Sequence, residues 1–165
     1  MPHPPVIDGL EFAKAAATLK GAWPIASFVR LLNTLRAVEG TLSYELRGVA
    51  EVLGRPALRL KVDGMLPLVC QRCLGPLEYA LHIEVLLLLA ATQAEVDAAP
   101  LEAEGPESIV AGRAMPVRAL VEDEVLLAIP IAPRHTGCAA GAKEAAAAKA
   151  MPFARLRGLM GGLKH

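Results

Sequence analysis

An α+β fold is predicted: an antiparallel β-sheet, as a meander or partial barrel, with a few packed helices and a flexible C-terminal tail. Three observations lead to it. Between Thr41 and Ala90, apolar and polar residues alternate in three successive runs, and period two marks half-buried strands. Residues 117–128 instead space their apolar side chains as a helix does, between two prolines. Over GCAAGAKEAAAAKA, residues 137–150, the chain becomes alanine-rich and lacks an apolar period. The expected organisation is a single α+β domain over 1–138, followed by an alanine-rich linker and basic amphipathic tail over 139–165.

At the N-terminus, LEFAKAAATLKG fits either a short helix stopped by Gly21 or a paired strand. In PIASFVRLLNTLRA, residues 24–37, the apolar side chains Ile25, Phe28, Val29, Leu32 and Leu35 share one helical face, with Pro24 suited to the first turn. Next come the strands, expected at 41–50, 57–69 and 77–90. Leu42, Tyr44 and Leu46 alternate with Ser43, Glu45 and Arg47; after Gly54-Arg55-Pro56, Leu58, Leu60 and Val62 alternate with Arg59, Lys61 and Asp63. Short turns between successive strands make a meander.

Residues 92–116 hold five acids, Glu95, Asp97, Glu102, Glu104 and Glu107, and no lysine or arginine before Arg113, which predicts a mobile acidic loop. Pro116 then opens the helix. It is expected to pack on the sheet through Val117, Leu120, Val121 and Val125 and to end before Pro130. Its acids Glu122, Asp123 and Glu124 are consecutive and fan around the axis, as a solvated face does and a catalytic carboxylate pair does not.

Composition narrows the function. The chain has 165 residues, with 17 basic and 17 acidic side chains, so no overall field draws it to nucleic acid or to an anionic membrane. The N-terminus lacks the basic start and apolar core of a signal peptide, and the longest apolar run, Val85 to Ala91, is too short to span a bilayer. A soluble cytoplasmic protein without membrane contact is expected, and in that reducing compartment three cysteines do not suggest a disulfide framework. No nucleophile elbow, phosphate-cradling loop or dinucleotide fingerprint is present, so no enzyme activity is predicted.

Cys70 and Cys73 stand three positions apart between two strand patterns. A redox C-x-x-C normally opens a helix, whereas a turn joining two strands is where zinc knuckles place such a pair, and Gly75 could supply the sharp bend after it. Zinc needs two more ligands. His135 and Cys138 supply the right types after an interval of 61 residues. Two readings therefore stand: a structural Cys3His zinc site, or a short-loop cysteine pair with an unrelated His and Cys. His3 and His82 have no partner pattern, and His82 alternates outward with the solvated strand face.

VCQRCLGPLEY and VRALVEDEVLLAIPIAPRH resemble the bacterial large ribosomal RNA subunit accumulation protein YceD family, and the closing PFARLRGLMGGLK is similar to that family's tail. The shared features are the Cys-x-Arg-Cys knuckle, the Glu-Asp-Glu helix running into Leu-Ala-Ile-Pro, and the Pro-x-His with a nearby cysteine. The resemblance implies a non-enzymatic cytoplasmic factor that promotes accumulation of large-subunit ribosomal RNA, in ribosome biogenesis or RNA protection. Its partners would be ribosomal RNA or large-subunit assembly particles. Phosphate contact is expected from Arg47, Arg59 and Lys61 on the sheet and from Arg155, Arg157 and Lys164 in the tail. The alternative is a small zinc-stabilised adaptor whose amphipathic tail docks a protein partner through Phe153, Leu156 and Leu159.

Overall fold

A computed structural model describes residues 4–98 and 105–138. In chain order the elements are β1 (Val6–Ile7), α1 (Gly9–Lys14), β2 (Thr18–Pro24), β3 (Thr41–Val52), β4 (Arg55–Val69), β5 (Pro76–Ala90), α2 (Gln93–Asp97), β6 (Glu107–Val110), β7 (Met115–Pro116) and α3 (Val117–Ala128). The α+β class is as predicted. β2 to β5 form an antiparallel meander, β6 joins β5 in parallel, and β1 pairs with β7 in a separate two-stranded ribbon. The five-stranded sheet is open, with β2 and β6 at its edges.

The three predicted strands form because their alternating apolar residues reach one face. Leu42 and Leu46 of β3, Leu58, Leu60, Val62, Leu66 and Leu68 of β4, and Leu77, Leu81, Ile83 and Leu87 of β5 are buried. Their polar neighbours point the other way into solvent. β3 and β4 are joined through Leu53 and Gly54, whose φ values of 53° and 77° give the left-handed two-residue turn that matches strand twist. The turn therefore lies one residue earlier than Gly54-Arg55-Pro56 suggested.

α3 covers the apolar face, with Val117, Val121 and Val125 fully buried on one stripe and Leu120 half-buried beside them. The predicted helix and its packing residues are both found. It stops where expected: Ile129, the residue before Pro130, is extended at φ −70° and ψ 124°. The N-terminal segment proves to be both of the structures it fitted, helix over Gly9–Lys14 and strand over Thr18–Pro24. Asp8 caps the helix by accepting from the Leu10 and Glu11 amides.

Two expectations are corrected. Residues 24–37 do not form an α-helix but two short 3-10 turns, Ile25–Ser27 and Leu31–Asn33. The buried residues Ile25, Phe28 and Leu31 recur every three positions, the 3-10 period, while Val29, placed on the predicted stripe, is 72% exposed. Pro24 closes β2 instead of opening a helix. Residues 92–116 are not a loop throughout. Thr92 caps α2 by accepting from the Glu95 amide, and β6 follows. A parallel pair needs a crossover of a dozen residues or more, and the stretch between Ala90 and Glu107 provides it. Residues 99–104 and the tail 139–165, with the expected linker and amphipathic segment, lie outside the described residues.

Candidate metal centre

The connection from β4 to β5 is a knuckle. Cys70 ends β4's apolar face and is fully buried. Its amide donates to Gly75 O at 3.0 Å, and the Leu74 amide donates back to Cys70 O at 2.9 Å. This closes the turn so that Val69 and Pro76 pair across it. The sharp bend falls at Leu74, with φ 58°, and not at Gly75. Gly75 lies beside the cysteine pair, where a Cβ would stand 3.4 Å from Cys73 Sγ, an ordinary contact distance.

The other half of the centre arrives from the end of α3. After Pro130 the chain passes over the knuckle, and the Gln71 amide donates to Pro133 O at 2.8 Å. A short turn, Cys138 N–H to His135 O at 3.3 Å, aims two more donors inward. The four candidate ligand atoms of Cys70, Cys73, His135 and Cys138 all lie within 4.8 Å of one another. The group can hold a metal ion.

The spacing fits zinc. Tetrahedral bonds of about 2.3 Å to sulfur and about 2.0–2.1 Å to nitrogen put two sulfurs about 3.8 Å apart and a sulfur and a nitrogen about 3.6 Å apart. Cys70 Sγ to Cys138 Sγ is 3.7 Å, and Cys73 Sγ to His135 Nδ1 is 3.5 Å. His135 Nε2 lies 2.8 Å from Pro76 O. With the proton on Nε2 that atom donates to the carbonyl, and the Nδ1 lone pair is left turned toward Cys73. The amides of Cys73 and Arg72 and that of His135 point at Cys70 and hold its thiol down, to about 5, despite burial. Burial first, and then the neighbouring sulfurs, push Cys138 up to about 11.

Sequence reading found the four ligand types but missed the residues that hold the two halves together. Arg72, between the cysteines, donates through Nη1 to Cys138 O at 2.6 Å. Pro76 O orients His135, and Gln71 binds the arriving chain. Only the arginine inside the C-x-x-C carried any signal for this. The acids of α3 are a further correction. Glu122 and Glu124 are 8% and 9% exposed, so only Asp123 belongs to a solvated face. Glu122 accepts the Arg30 and Leu31 amides and the Arg30 guanidinium.

On the opposite, polar face the sheet register brings Arg47, Arg59 and Lys61 together. Arg47 pairs across strands with Arg59, and Glu45 with Lys61. The three line an open cleft of about 470 Å³ with Ala16, Glu45 and Gly48. His82 is exposed on the same face as expected, its Nδ1 2.5 Å from Asp63 Oδ1. Arg155, Arg157, Lys164 and the apolar Phe153, Leu156 and Leu159 lie outside the described residues. No helix among the described residues is long and apolar enough to cross a membrane.

A family model described as large ribosomal RNA subunit accumulation protein YceD matches residues 58–159, more than half of the chain. No curated protein and no solved structure matches it.

Proposed function

The chain belongs to the large ribosomal RNA subunit accumulation protein YceD family, and from that premise we propose that it is a non-enzymatic cytoplasmic factor promoting accumulation of large-subunit ribosomal RNA. The single observation that carries this reading is the family match over residues 58–159, which takes in the knuckle, α3 and His135 with Cys138. Cys70, Cys73, His135 and Cys138 hold one zinc ion as a structural site. Four protein ligands fill a tetrahedral shell and leave no open position for a water or substrate, so the ion cross-links the chain and does no catalysis. What it secures is the end of α3 against the β4–β5 turn.

The polar sheet face is the surface for the assembling particle, with Arg47, Arg59 and Lys61 meeting RNA phosphate and Arg155, Arg157 and Lys164 adding to the charge from the tail. Deletion of the gene should lower large-subunit ribosomal RNA relative to small-subunit RNA under growth stress. The full chain should also co-sediment with large-subunit precursors in extract. Unchanged RNA ratios together with no co-sedimentation would refute the reading.

A further inference from the structure

On the polar face of the sheet, cross-strand partners form rows. The first runs Thr18, Arg47, Arg59 and Leu86; the next runs Lys20, Glu45, Lys61 and Glu84. Charges alternate in the second row, and its ends close on themselves. Lys20 meets Glu45 at 3.0 Å and Lys61 meets Glu84 at 3.1 Å. The first row contains no acid. Its two arginines are direct cross-strand partners, a like-charge pairing that works against the strand pair unless something compensates it. Arg59 reaches diagonally to Glu84 at 3.2 Å, a carboxylate already shared with Lys61. Among the described residues Arg47 forms no salt bridge.

Lys20, Arg47, Arg59 and Lys61 against Glu45 and Glu84 leave a local excess of two positive charges in a chain with no net charge. That excess sits in the cleft of about 470 Å³, where Arg47, Arg59 and Lys61 are three of the eight lining residues. An arginine from each of two neighbouring strands lines one space, an arrangement that suits a tetrahedral oxyanion, which can accept from more than one guanidinium group. The exposed Thr18, beside Arg47, offers a hydroxyl on the same face.

We propose that the Arg47–Arg59 cleft is a phosphate-binding site that holds a phosphodiester of the RNA backbone, with Lys61 and Thr18 at its margin. The proposal rests on the functional reading above and adds the chemistry by which the particle is held. Binding there is independent of base sequence. None of the described Phe, Tyr and Trp side chains is exposed: Phe28 and Tyr44 are buried, and Phe12, Trp23 and Tyr79 are half-buried. Trp23 is stacked on Tyr44 at 4.2 Å, which occupies one face of its ring. Exposed Phe, Tyr or Trp platforms for stacking unpaired bases are therefore missing from the described surface.

The test uses the full chain and a fluorescent single-stranded oligouridylate, titrated over a range of salt concentrations. Wild-type protein should bind, and Arg47→Gln with Arg59→Gln should weaken binding at least tenfold. The same double variant should flatten the log–log salt slope by about 1.4, the share of two backbone contacts on a single strand. Arg36→Gln with Arg113→Gln removes the same charge from exposed positions elsewhere and should leave affinity within about twofold. Inorganic phosphate should raise the melting temperature of wild type and not of the cleft variant, a readout that also shows the variant is folded.

Equal weakening by both double variants would overturn the cleft in favour of a diffuse charge effect, as would wild-type protein that binds neither oligonucleotide nor phosphate. Phosphate binding without oligonucleotide binding would identify a free-anion site and overturn the RNA assignment. Co-sedimentation with precursors that survives Arg47→Gln with Arg59→Gln would overturn this contact and leave the broader function standing. Loss of co-sedimentation in wild type alongside retained oligonucleotide binding would do the reverse.

Discussion

Glu122 of α3 grips the backbone of Arg30: its Oε1 accepts the Arg30 amide at 2.7 Å and the Leu31 amide at 3.2 Å, while Oε2 takes the Arg30 Nε at 3.1 Å. These amides begin the second 3-10 turn, where no carbonyl of the turn itself can reach them. One carboxylate thus fastens the segment between β2 and β3 to the helix that roofs the sheet. Glu122→Ala would strand two amides against the core and cost about 2–4 kcal/mol in urea unfolding. Glu122→Gln keeps an accepting oxygen and should cost less than half as much. Equal losses for the two would show that charge, and not amide capping, is what Glu122 supplies.

Protein purified without chelator should contain one zinc per chain, and Cys138→Ser should lose it. A zinc ion held there would close the long loop between Cys73 and His135, so its removal should lower stability by about 4 kcal/mol on the chain-entropy scale for a cross-link of that span. Three thiolates and a neutral imidazole are needed for binding, so zinc affinity should fall as pH falls. A melting temperature that chelator does not change would exclude this cross-link.

Glu124 is held above the ordinary glutamate range, by burial first and then by Glu107 and Asp123. A carboxyl whose pKa is raised on folding binds its proton more tightly in the folded state. Its contribution is present below the unfolded value near pH 4.3 and is lost as pH rises through the folded value. At pH 7 the ionised group destabilises the fold, so Glu124→Gln should raise the melting temperature there and lose that advantage near pH 4. A gain of the same size at both pH values would point to packing instead.

Gly48 sits where α1 crosses β3. A Cβ at this position would fall on Phe12 O and within 2.8 Å of Ala13 Cα, both backbone atoms that cannot swing aside. Gly48→Ala should cost about 1–3 kcal/mol by displacing α1. Gly54→Asn, by contrast, has open space around it and a left-handed φ that asparagine tolerates, so it should change stability by under about 1 kcal/mol. Chemical denaturation of both variants checks the contrast.

Much of the sheet was legible in the residues themselves. Period two forces alternate side chains of Thr41 to Ala90 to opposite faces, and the apolar half must find cover whatever the rest of the chain does. The stripe Val117, Val121, Val125 between Pro116 and Pro130 specified that cover equally locally. Cys70 and Cys73 marked a knuckle because two cysteines separated by two residues fall in the short turn between two strand patterns.

The tertiary structure decided what depends on partners distant in sequence. Ile25 to Leu35 carry a helical spacing, yet the strand ends and the Glu122 carboxylate offer their backbone better partners than a ladder of its own, so the segment tightens to period three. Glu122 reads as solvated in sequence because nothing local shows that Arg30 lies across from it. Whether His135 and Cys138 meet Cys70 and Cys73 turns on the β4–β5 register and the direction in which α3 delivers the chain past Pro133. Arg47 faces Arg59 for the same kind of reason. Side-chain type and spacing are local quantities, whereas the distances that make a metal centre or an anion cleft are set by strand pairing and packing across the whole sheet.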